Sequence, residues 1–252
     1  MNPSDVTIEI KDLTKNFGDK EAVKGINLAV PRGSFFGFLG PNGAGKTTTI
    51  RMVTGLLAPT RGDAILDGHS IVTQALAAKQ QIGVVPDDLA LFDRLSLWEH
   101  LTMVGSIYGL SRDDTLTRAE DLLKVLGLWE DRGTFAGDAS HGMRKKLALS
   151  LALIHNPSLL FLDEPFEGID PLAGKVLRSL LQRLSARGTT IFLTSHILEI
   201  IEKLVDHGAI ALDSPLADVI TGGRTLEDAF VAAAGAAAGG ALGDEGLDLA
   251  WL

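Results

Sequence analysis

The sequence predicts an α/β fold with three parts: a core with a mixed sheet, a small antiparallel β subdomain and an inserted all-helical subdomain. Short apolar segments alternate with turns and helical patterns before residue 89 and after residue 155, which is typical of an α/β core. Between them strand signals disappear and helical periodicity continues. We therefore expect residues 1–88 and 156–225 to form the core with its β subdomain, 89–155 the helical subdomain, and 226–252 a C-terminal helix with an alanine- and glycine-rich tail.

The first part of the chain is expected to contain several strands and two helices. The first strand alternates β-branched and polar residues, as an edge strand does. The third is a short apolar segment, which is typical of a buried strand. Strands are predicted at residues 6–10, 22–30, 35–39, 64–66 and 82–86, and helices at 47–57 and 72–80.

Capping residues indicate where helices begin and end in the rest of the chain. Ser96 and Ser111 are typical N-caps, and Gly127 is a typical helix stop, so helices are predicted up to residues 108 and 126. A third helix follows Ser140 and runs to residue 154. Asp170 before Pro171 is an N-cap followed by proline in the first turn. The remaining predicted elements are strands at 159–162, 189–194 and 209–212, and helices at 171–187, at 197–204 and from residue 225.

Residues 40–48 read Gly-Pro-Asn-Gly-Ala-Gly-Lys-Thr-Thr and match the phosphate-binding pattern G-x-x-x-x-G-K-[ST]. A predicted buried strand precedes the motif and a helix follows it, a context that a chance match in a glycine-rich chain would lack. Glycines let backbone N–H groups approach an anion, Lys46 supplies a cation, and the Thr47 hydroxyl is a hard ligand for Mg²⁺. The sequence therefore predicts a P-loop that holds a nucleoside triphosphate through Gly40, Asn42, Gly43, Ala44, Gly45, Lys46, Thr47 and Thr48.

A second polar group follows the apolar segment 159–162. Asp163 and Glu164 stand at its carboxyl end, where open α/β sheets place ligands. Asp163 suits a Mg²⁺ shell opposite Thr47, and Glu164 suits a general base that polarises the attacking water. His196 follows another apolar strand and could donate a hydrogen bond to the γ-phosphate. The alternatives are a surface turn for the carboxylates and a structural role for the histidine.

Composition limits the classes of function. The chain has 252 residues, no cysteine and a formal net charge of −9. The lack of cysteine excludes disulfides and thiolate metal sites, and the negative charge argues against broad nucleic-acid binding. The N-terminus lacks the basic and apolar regions of a signal peptide, and the longest apolar segments are too short to span a bilayer. We therefore expect a cytoplasmic protein.

The order and spacing of these motifs resemble those of the ATP-binding cassette family, in its bacterial transporter ATPases. The segment Ala139-Ser140-His141-Gly142-Met143 resembles the family's Leu-Ser-Gly-Gly-Gln signature and precedes the Asp163 strand as it does in the family. Phe17 stands where the family places an aromatic ring that stacks on adenine, and Gly168-Ile169-Asp170 where it has its D-loop. The resemblance covers residues 6–226, implies a P-loop NTPase fold, and is greatest to multidrug or antibiotic exporter cassettes with a separate membrane subunit.

This resemblance implies a Mg²⁺-dependent ATPase in which two copies close head to tail on two ATP molecules. One copy offers the P-loop, Glu164 and His196 as catalytic groups, and Thr47, Asp163 and Asp87 toward the metal. The other offers Ser140 and Gly142 to the same γ-phosphate. Asp170 also belongs to the implied ATP site. The implied partners are a second ATPase subunit and an integral membrane permease, which would keep the chain on the cytoplasmic face of the membrane.

Three departures from the family pattern affect these expectations. Asp87 stands where the family usually has the Q-loop glutamine; either it reaches Mg²⁺ through water, or it faces solvent. His141 replaces a glycine, and its ring either points away from the phosphate or faces ATP. Ala139 and Met143 replace the leucine and glutamine of the signature. The basic residues Arg144, Lys145 and Lys146 are expected on a solvated helix face, with contact to lipid headgroups as the alternative.

The leading functional interpretation is the ATPase subunit of an exporter. By resemblance, its membrane partner would dock between the Asp87 loop and the helix capped by Ser96, where apolar residues are frequent: Leu89, Leu91, Phe92 and Leu95. These residues could equally form the core of the helical subdomain. One alternative is a soluble cassette ATPase that remodels a protein or nucleic-acid assembly; another is a nucleotide-binding regulator without turnover.

Overall fold

The computed structural model describes residues 5–40, 43–169, 171–195, 204 and 207–210. This part of the chain begins with three strands, and three consecutive helices, α3 to α5, separate β6 from β7. The strands are β1 Val6–Phe17, β2 Lys20–Pro31, β3 Phe35–Leu39, β4 Arg61–Leu66, β5 His69–Ser70, β6 Ile82–Val85, β7 Leu159–Asp163, β8 Thr190–Ser195 and β9 His207–Ile210. The helices are α1 Lys46–Val53, α2 Ala75–Gln80, α3 Leu97–Ile107, α4 Arg112–Val125, α5 His141–Leu153 and α6 Pro171–Ala186.

The strands form two sheets. A four-stranded antiparallel sheet has the order β2-β1-β4-β5, and a five-stranded parallel sheet has the order β6-β7-β8-β3-β9. Every residue of β3, β7 and β8 is buried, as expected for parallel strands covered on both faces. The predicted fold class is confirmed, and the two kinds of pairing lie in separate sheets.

Apolar side chains cover both faces of the parallel sheet. On one face, β3, β7 and β8 share a core with α1 and the antiparallel sheet, including Phe38, Phe161, Phe192, Ile50 and Ile8. On the other face, α5 and α6 supply Leu149, Leu177 and Leu181. The strand ends that carry the candidate site residues are therefore held between two packed layers.

Helices α3, α4 and α5 pack around an apolar core of their own, which includes Leu97, Leu101, Leu123 and Leu147. The N-caps predicted at Ser96 and Ser111 are confirmed, and Ser140, which was predicted to precede a helix, is an N-cap as well, because each side chain accepts a hydrogen bond from the first turn of its helix. Ser96 forms a full capping box with Glu99. Helix α5 also packs on the parallel sheet, so it connects these helices to the core.

Several local predictions need correction. The prediction of an edge strand at residues 6–10 is wrong, because β1 lies between β2 and β4. Its alternation arises because one face of the antiparallel sheet is less buried than the other, which central strands also show. Helix α1 is shorter than predicted, α2 begins only at Ala75, and β5 was not expected. The predicted helices at 197–204 and from residue 225 lie outside the described residues, apart from Leu204, which forms a turn.

None of the helices in the described ranges combines the length and apolar character that crossing a bilayer requires.

Asp67 connects the β4–β5 turn to two other elements. Its carboxylate accepts hydrogen bonds from Thr7 Oγ1 at 2.6 Å and Ser158 Oγ at 2.5 Å, and it pairs with Arg32 Nη2 at 2.6 Å. Burial raises the pKa of Asp67, but these hydrogen bonds and the Arg32 charge outweigh that effect, and the pKa lies below its ordinary value of 3.8. The ionised carboxylate therefore stabilises the fold.

We expect Asp67→Asn to lower the free energy of unfolding at pH 7 by about 1–2 kcal/mol, because a charged acceptor is replaced by a neutral one. The contribution is complete above pH 3.8 and is lost as the pH falls through the lower native-state pKa. Urea unfolding of wild type and variant should therefore give curves that converge in acid. A difference that does not change with pH, or an equal effect of Asp113→Asn on the surface, would contradict this assignment.

Candidate functional site

The P-loop follows the buried strand β3, and helix α1 begins at Lys46, as the motif predicts. Gly43 and Gly45 have φ values of 87° and 84°, which favour glycine. A Cβ on Gly45 would also lie 2.7 Å from the backbone oxygen of Ala22. Only glycine therefore fits at Gly45 without a shift of strand β2. Asn42 lies outside the described residues; Ala44, Thr47 and Thr48 are half-buried around the start of α1.

Lys46 is the cation of the loop. Its side chain is 6% exposed, and its ammonium donates a hydrogen bond to the backbone oxygen of Gly40 at 2.8 Å. The same nitrogen lies 3.7 Å from Oε1 of Glu164. The structure thus brings the predicted phosphate-binding lysine and the predicted general base together, although 118 positions separate them in the sequence (164 − 46).

Asp163 is 2% exposed at the end of β7. Its Oδ1 accepts hydrogen bonds from Thr194 Oγ1 at 2.6 Å and from Thr47 Oγ1 at 3.3 Å. Burial raises the pKa of Asp163 above its ordinary value of 3.8; the two hydrogen bonds oppose this change, whereas the charges of Asp87 and Glu164 add to it. A bound cation would act in the opposite direction, because it favours the charged form.

The oxygens of Thr47 and Asp163 are of the type that Mg²⁺ prefers. In the part of the chain that the structure describes, no group of three or more His, Asp or Glu side chains could hold a metal ion. The pair therefore fits an ion that keeps waters and phosphate oxygens as further ligands, as Mg²⁺ does.

Glu164 is 9% exposed and has a φ of 48°, in the left-handed region that disfavours a residue with a Cβ. Hydrogen bonds hold both of its backbone groups. Its N–H donates to Thr194 Oγ1 at 3.2 Å. Its carbonyl accepts from the Lys145 ammonium at 3.1 Å and from the Glu167 N–H at 3.2 Å. The surroundings thus fix a disfavoured backbone at the predicted base.

Sequence reasoning missed Thr194 and placed Lys145 wrongly. Thr194 is a strand-end hydroxyl two positions before His196, and it contacts both Asp163 and Glu164. Lys145 was expected on a solvated face, but it is 6% exposed. Its place in the helical stripe with Leu149 and Ala152 was the available signal, since a charge in an apolar stripe indicates a buried partner.

Other predicted residues lie around this centre. Asp87 is exposed after β6, yet its charge influences the pKa values of Asp163 and Lys145. Phe17 is 52% exposed at the end of β1, with the Lys15 ammonium 5.2 Å from its ring centre. Asp170 and His196 lie outside the described residues.

The signature residues lie at the start of α5. Ser140 is exposed, and its Oγ accepts a hydrogen bond from the Met143 N–H at 3.2 Å. Gly142 is half-buried, and a Cβ there would meet no atom within 4 Å. The His141 ring lies against Gly168, where a Cβ would approach it to 3.2 Å. His141 thus contacts the Gly168 loop of its own chain, and its orientation toward ATP stays a prediction.

The parallel sheet, the glycine loop before α1 and the carboxylates after β7 define a P-loop nucleotide-binding protein. Residues 23–167 match the family model described as ABC transporter. That match spans more than half of the chain, so the protein belongs to the ABC transporter family, and it is an ATP-binding cassette of that family.

Two curated relatives and one solved structure illustrate the similarity. The chain is 38% identical over 199 residues to the linearmycin resistance ATP-binding protein LnrL of Bacillus subtilis, with 79% of this chain and 64% of that protein covered. It is 37% identical over 214 residues to the bacitracin transport ATP-binding protein BcrA of Bacillus licheniformis, with 84% and 69% covered. A solved structure of an ATP-binding subunit of an ABC transporter aligns with a TM-score of 0.80, 31% identity and coverage of 88% and 91%. The chain thus spans about two thirds of the length of these curated relatives.

Proposed function

We propose that this chain is the ATP-hydrolysing subunit of an exporter, in which two copies close on ATP and power a separate integral membrane subunit. The observation that carries the proposal is the convergence of Lys46, Asp163 and Glu164 at the carboxyl ends of β3 and β7, which lie on either side of β8 in the parallel sheet. A cation, a metal-binding carboxylate and a buried base are the groups that phosphoryl transfer to water requires. The two relatives are named for resistance to linearmycin and for transport of bacitracin, and these names support export.

Within one copy, each of these residues would have a separate role in binding or hydrolysing ATP. The P-loop N–H groups and Lys46 would bind the phosphates, and Phe17 would stack on adenine. Thr47 and Asp163 would hold Mg²⁺, which neutralises charge on the phosphate oxygens. Glu164 would orient and polarise the attacking water, and His196 would donate a hydrogen bond to the γ-phosphate.

The second copy would supply the signature. Ser140 and Gly142 stand at the N-terminus of α5, where backbone N–H groups and the helix dipole favour an anion. Ser140 is exposed, and its hydroxyl accepts a hydrogen bond from the Met143 N–H of its own helix. An exposed anion site is weak in water and becomes strong when a partner desolvates it. This supports a site shared between two copies, and Asp170 would contribute to the same ATP site.

We also propose that residues 89–155, which include α5, form the helical subdomain and dock on the membrane partner. Phe92 is 62% exposed in this region, whereas Leu89 is 7% exposed and belongs to the core. The partner would hold the chain on the cytoplasmic face of the membrane. Purifying the tagged chain from detergent-solubilised membranes should recover a multi-span protein. Recovery of only soluble proteins or nucleic acid would favour a soluble cassette that remodels an assembly.

Asp87 provides a test of the metal site. If it reaches Mg²⁺ through water, Asp87→Ala should raise the Mg²⁺ concentration for half-maximal ATPase activity by about 10-fold, the usual effect of losing an outer-shell ligand partner. The measurement is a Mg²⁺ titration of ATP turnover. Asp88→Ala, at the neighbouring exposed position, is the matched control. Unchanged Mg²⁺ dependence and unchanged turnover in Asp87→Ala would indicate that this side chain faces only solvent.

A further inference from the structure

We propose that Lys145 is a positioning residue for Glu164: its ammonium holds the backbone that aims the Glu164 carboxylate at the attacking water. The inference rests on the proposed function, because it assumes that Glu164 acts in hydrolysis. It assigns a specific task to a lysine in the helix that begins with the signature.

The first support is the burial of the ammonium and its contacts. Lys145 is 6% exposed, and its Nζ donates hydrogen bonds to the backbone oxygens of Glu164, at 3.1 Å, and of Glu167. Burial lowers the pKa of Lys145, and the charges of Glu167, Asp87 and Glu164 oppose that change. The stem lies beside a small apolar cavity of about 30 Å³. A methionine would fill this space without the cost of burying a charge, so the ammonium serves contacts that an apolar side chain cannot make.

The second support is the backbone that Lys145 contacts. Glu164 has a φ of 48°, which is uncommon for residues other than glycine and persists only where the surroundings impose it. Thr194 accepts from its N–H, and Lys145 donates to its carbonyl. These side chains come from two different elements, β8 and α5. Loss of the Lys145 bond would release one of the restraints on the Cα–Cβ direction of Glu164.

The third support is the contact that nucleotide binding would disturb. The Glu164 carboxylate lies 3.7 Å from the Lys46 ammonium. Phosphate oxygens would compete for that ammonium, because Lys46 is the cation of the P-loop. The position of the Glu164 carboxylate would then depend on the Glu164 backbone. Lys145 and Thr194 fix that backbone from outside the phosphate site. Since a displacement of about 1 Å can reduce a rate about 100-fold, this hold would affect turnover.

The test compares Lys145→Met with Lys146→Met, the next residue of the same helix, in the full-length chain. ATPase kinetics give kcat and KM, and titration with a fluorescent ATP analogue gives Kd. We expect Lys145→Met to lower kcat by about 10-fold or more, with Kd changed by less than about threefold, because an interaction of the transition state and not of binding is lost. Lys146→Met should stay within about twofold of wild type in both.

A double variant separates positioning from general loosening of the fold. In a Glu164→Gln background, Lys145→Met should lower the residual rate by less than about twofold, because residues that act through one group are not additive. Full additivity, or a wild-type kcat in Lys145→Met, would overturn the inference. If ATP hydrolysis by the wild type depends on Glu164 but Lys145→Met has the wild-type kcat, the inference about Lys145 fails and the proposed function stands. A wild type without turnover would overturn the proposed function as well.

If Lys145→Met does not fold, Lys145→Arg decides the question through its pH profile. The charged groups that act on Lys145 are Asp87 after β6 and Glu164 and Glu167 after β7. As the pH rises through its lowered pKa, Lys145 loses its charge and kcat of the wild type should fall. Arginine stays protonated, so kcat of Lys145→Arg should persist to higher pH. If kcat of the wild type and of Lys145→Arg falls over the same alkaline pH range, the inference is wrong.

Discussion

Glu164→Gln is expected to lower ATP turnover by about 100-fold or more while ATP still binds, because removal of a general base costs two to four orders of magnitude. Glutamine has nearly the shape of glutamate, but its neutral amide cannot accept a proton from water. The backbone contacts to Lys145 and Thr194 do not involve the carboxylate, so the fold around the site should persist.

The measurements are phosphate release and the association state with ATP. Glu164→Gln should bind ATP and, if two copies share the site, elute as a dimer in the presence of Mg²⁺ and ATP and as a monomer without them. Glu130→Gln makes the same chemical change at an exposed position and should behave as the wild type. Turnover above about a tenth of the wild-type rate would exclude Glu164 as the general base. A variant that stays monomeric with ATP would contradict the shared site.

Lys46→Met is expected to weaken ATP binding and thereby abolish turnover. Lys46 is 6% exposed, so its charge would meet the phosphates with little screening by water. Truncating one partner of such a buried charge contact costs about 2–5 kcal/mol, which raises Kd by about 30-fold or more. Methionine keeps the length of the stem and removes the charge, so the effect reports mainly on electrostatics.

Equilibrium titration with a fluorescent ATP analogue measures this loss directly. Lys79→Met, on the exposed face of α2, is the control for removal of a positive charge elsewhere. A Kd within about threefold of wild type would show that the backbone N–H groups of the loop bind the phosphates without help from Lys46. Together the two variants distinguish ATP binding from hydrolysis. Lys46→Met should lose ATP binding, and Glu164→Gln should keep it.

The sequence by itself determined the parts of this protein whose geometry is local. The P-loop is a run of consecutive residues between a strand and a helix, and its glycines have the positive φ values that the motif requires. Strand β3 was predicted at its observed bounds, and the N-caps Ser96 and Ser111 were predicted correctly because a cap depends on neighbours within one helical turn. The family, too, could be identified from motif order alone.

Only the tertiary structure decided the contacts between elements that are distant in sequence. It placed β1 inside its sheet, turned Lys145 toward Glu164, and brought Thr194 between Asp163 and the Glu164 backbone. Spacing shows that a lysine or a threonine lies on an element, but not which neighbour it meets when helix and sheet pack together. The same limit applies to the Lys46–Glu164 contact, which exists because β3 and β7 both pair with β8. The order of the parallel strands therefore assembled this site from motifs that the sequence shows only one at a time.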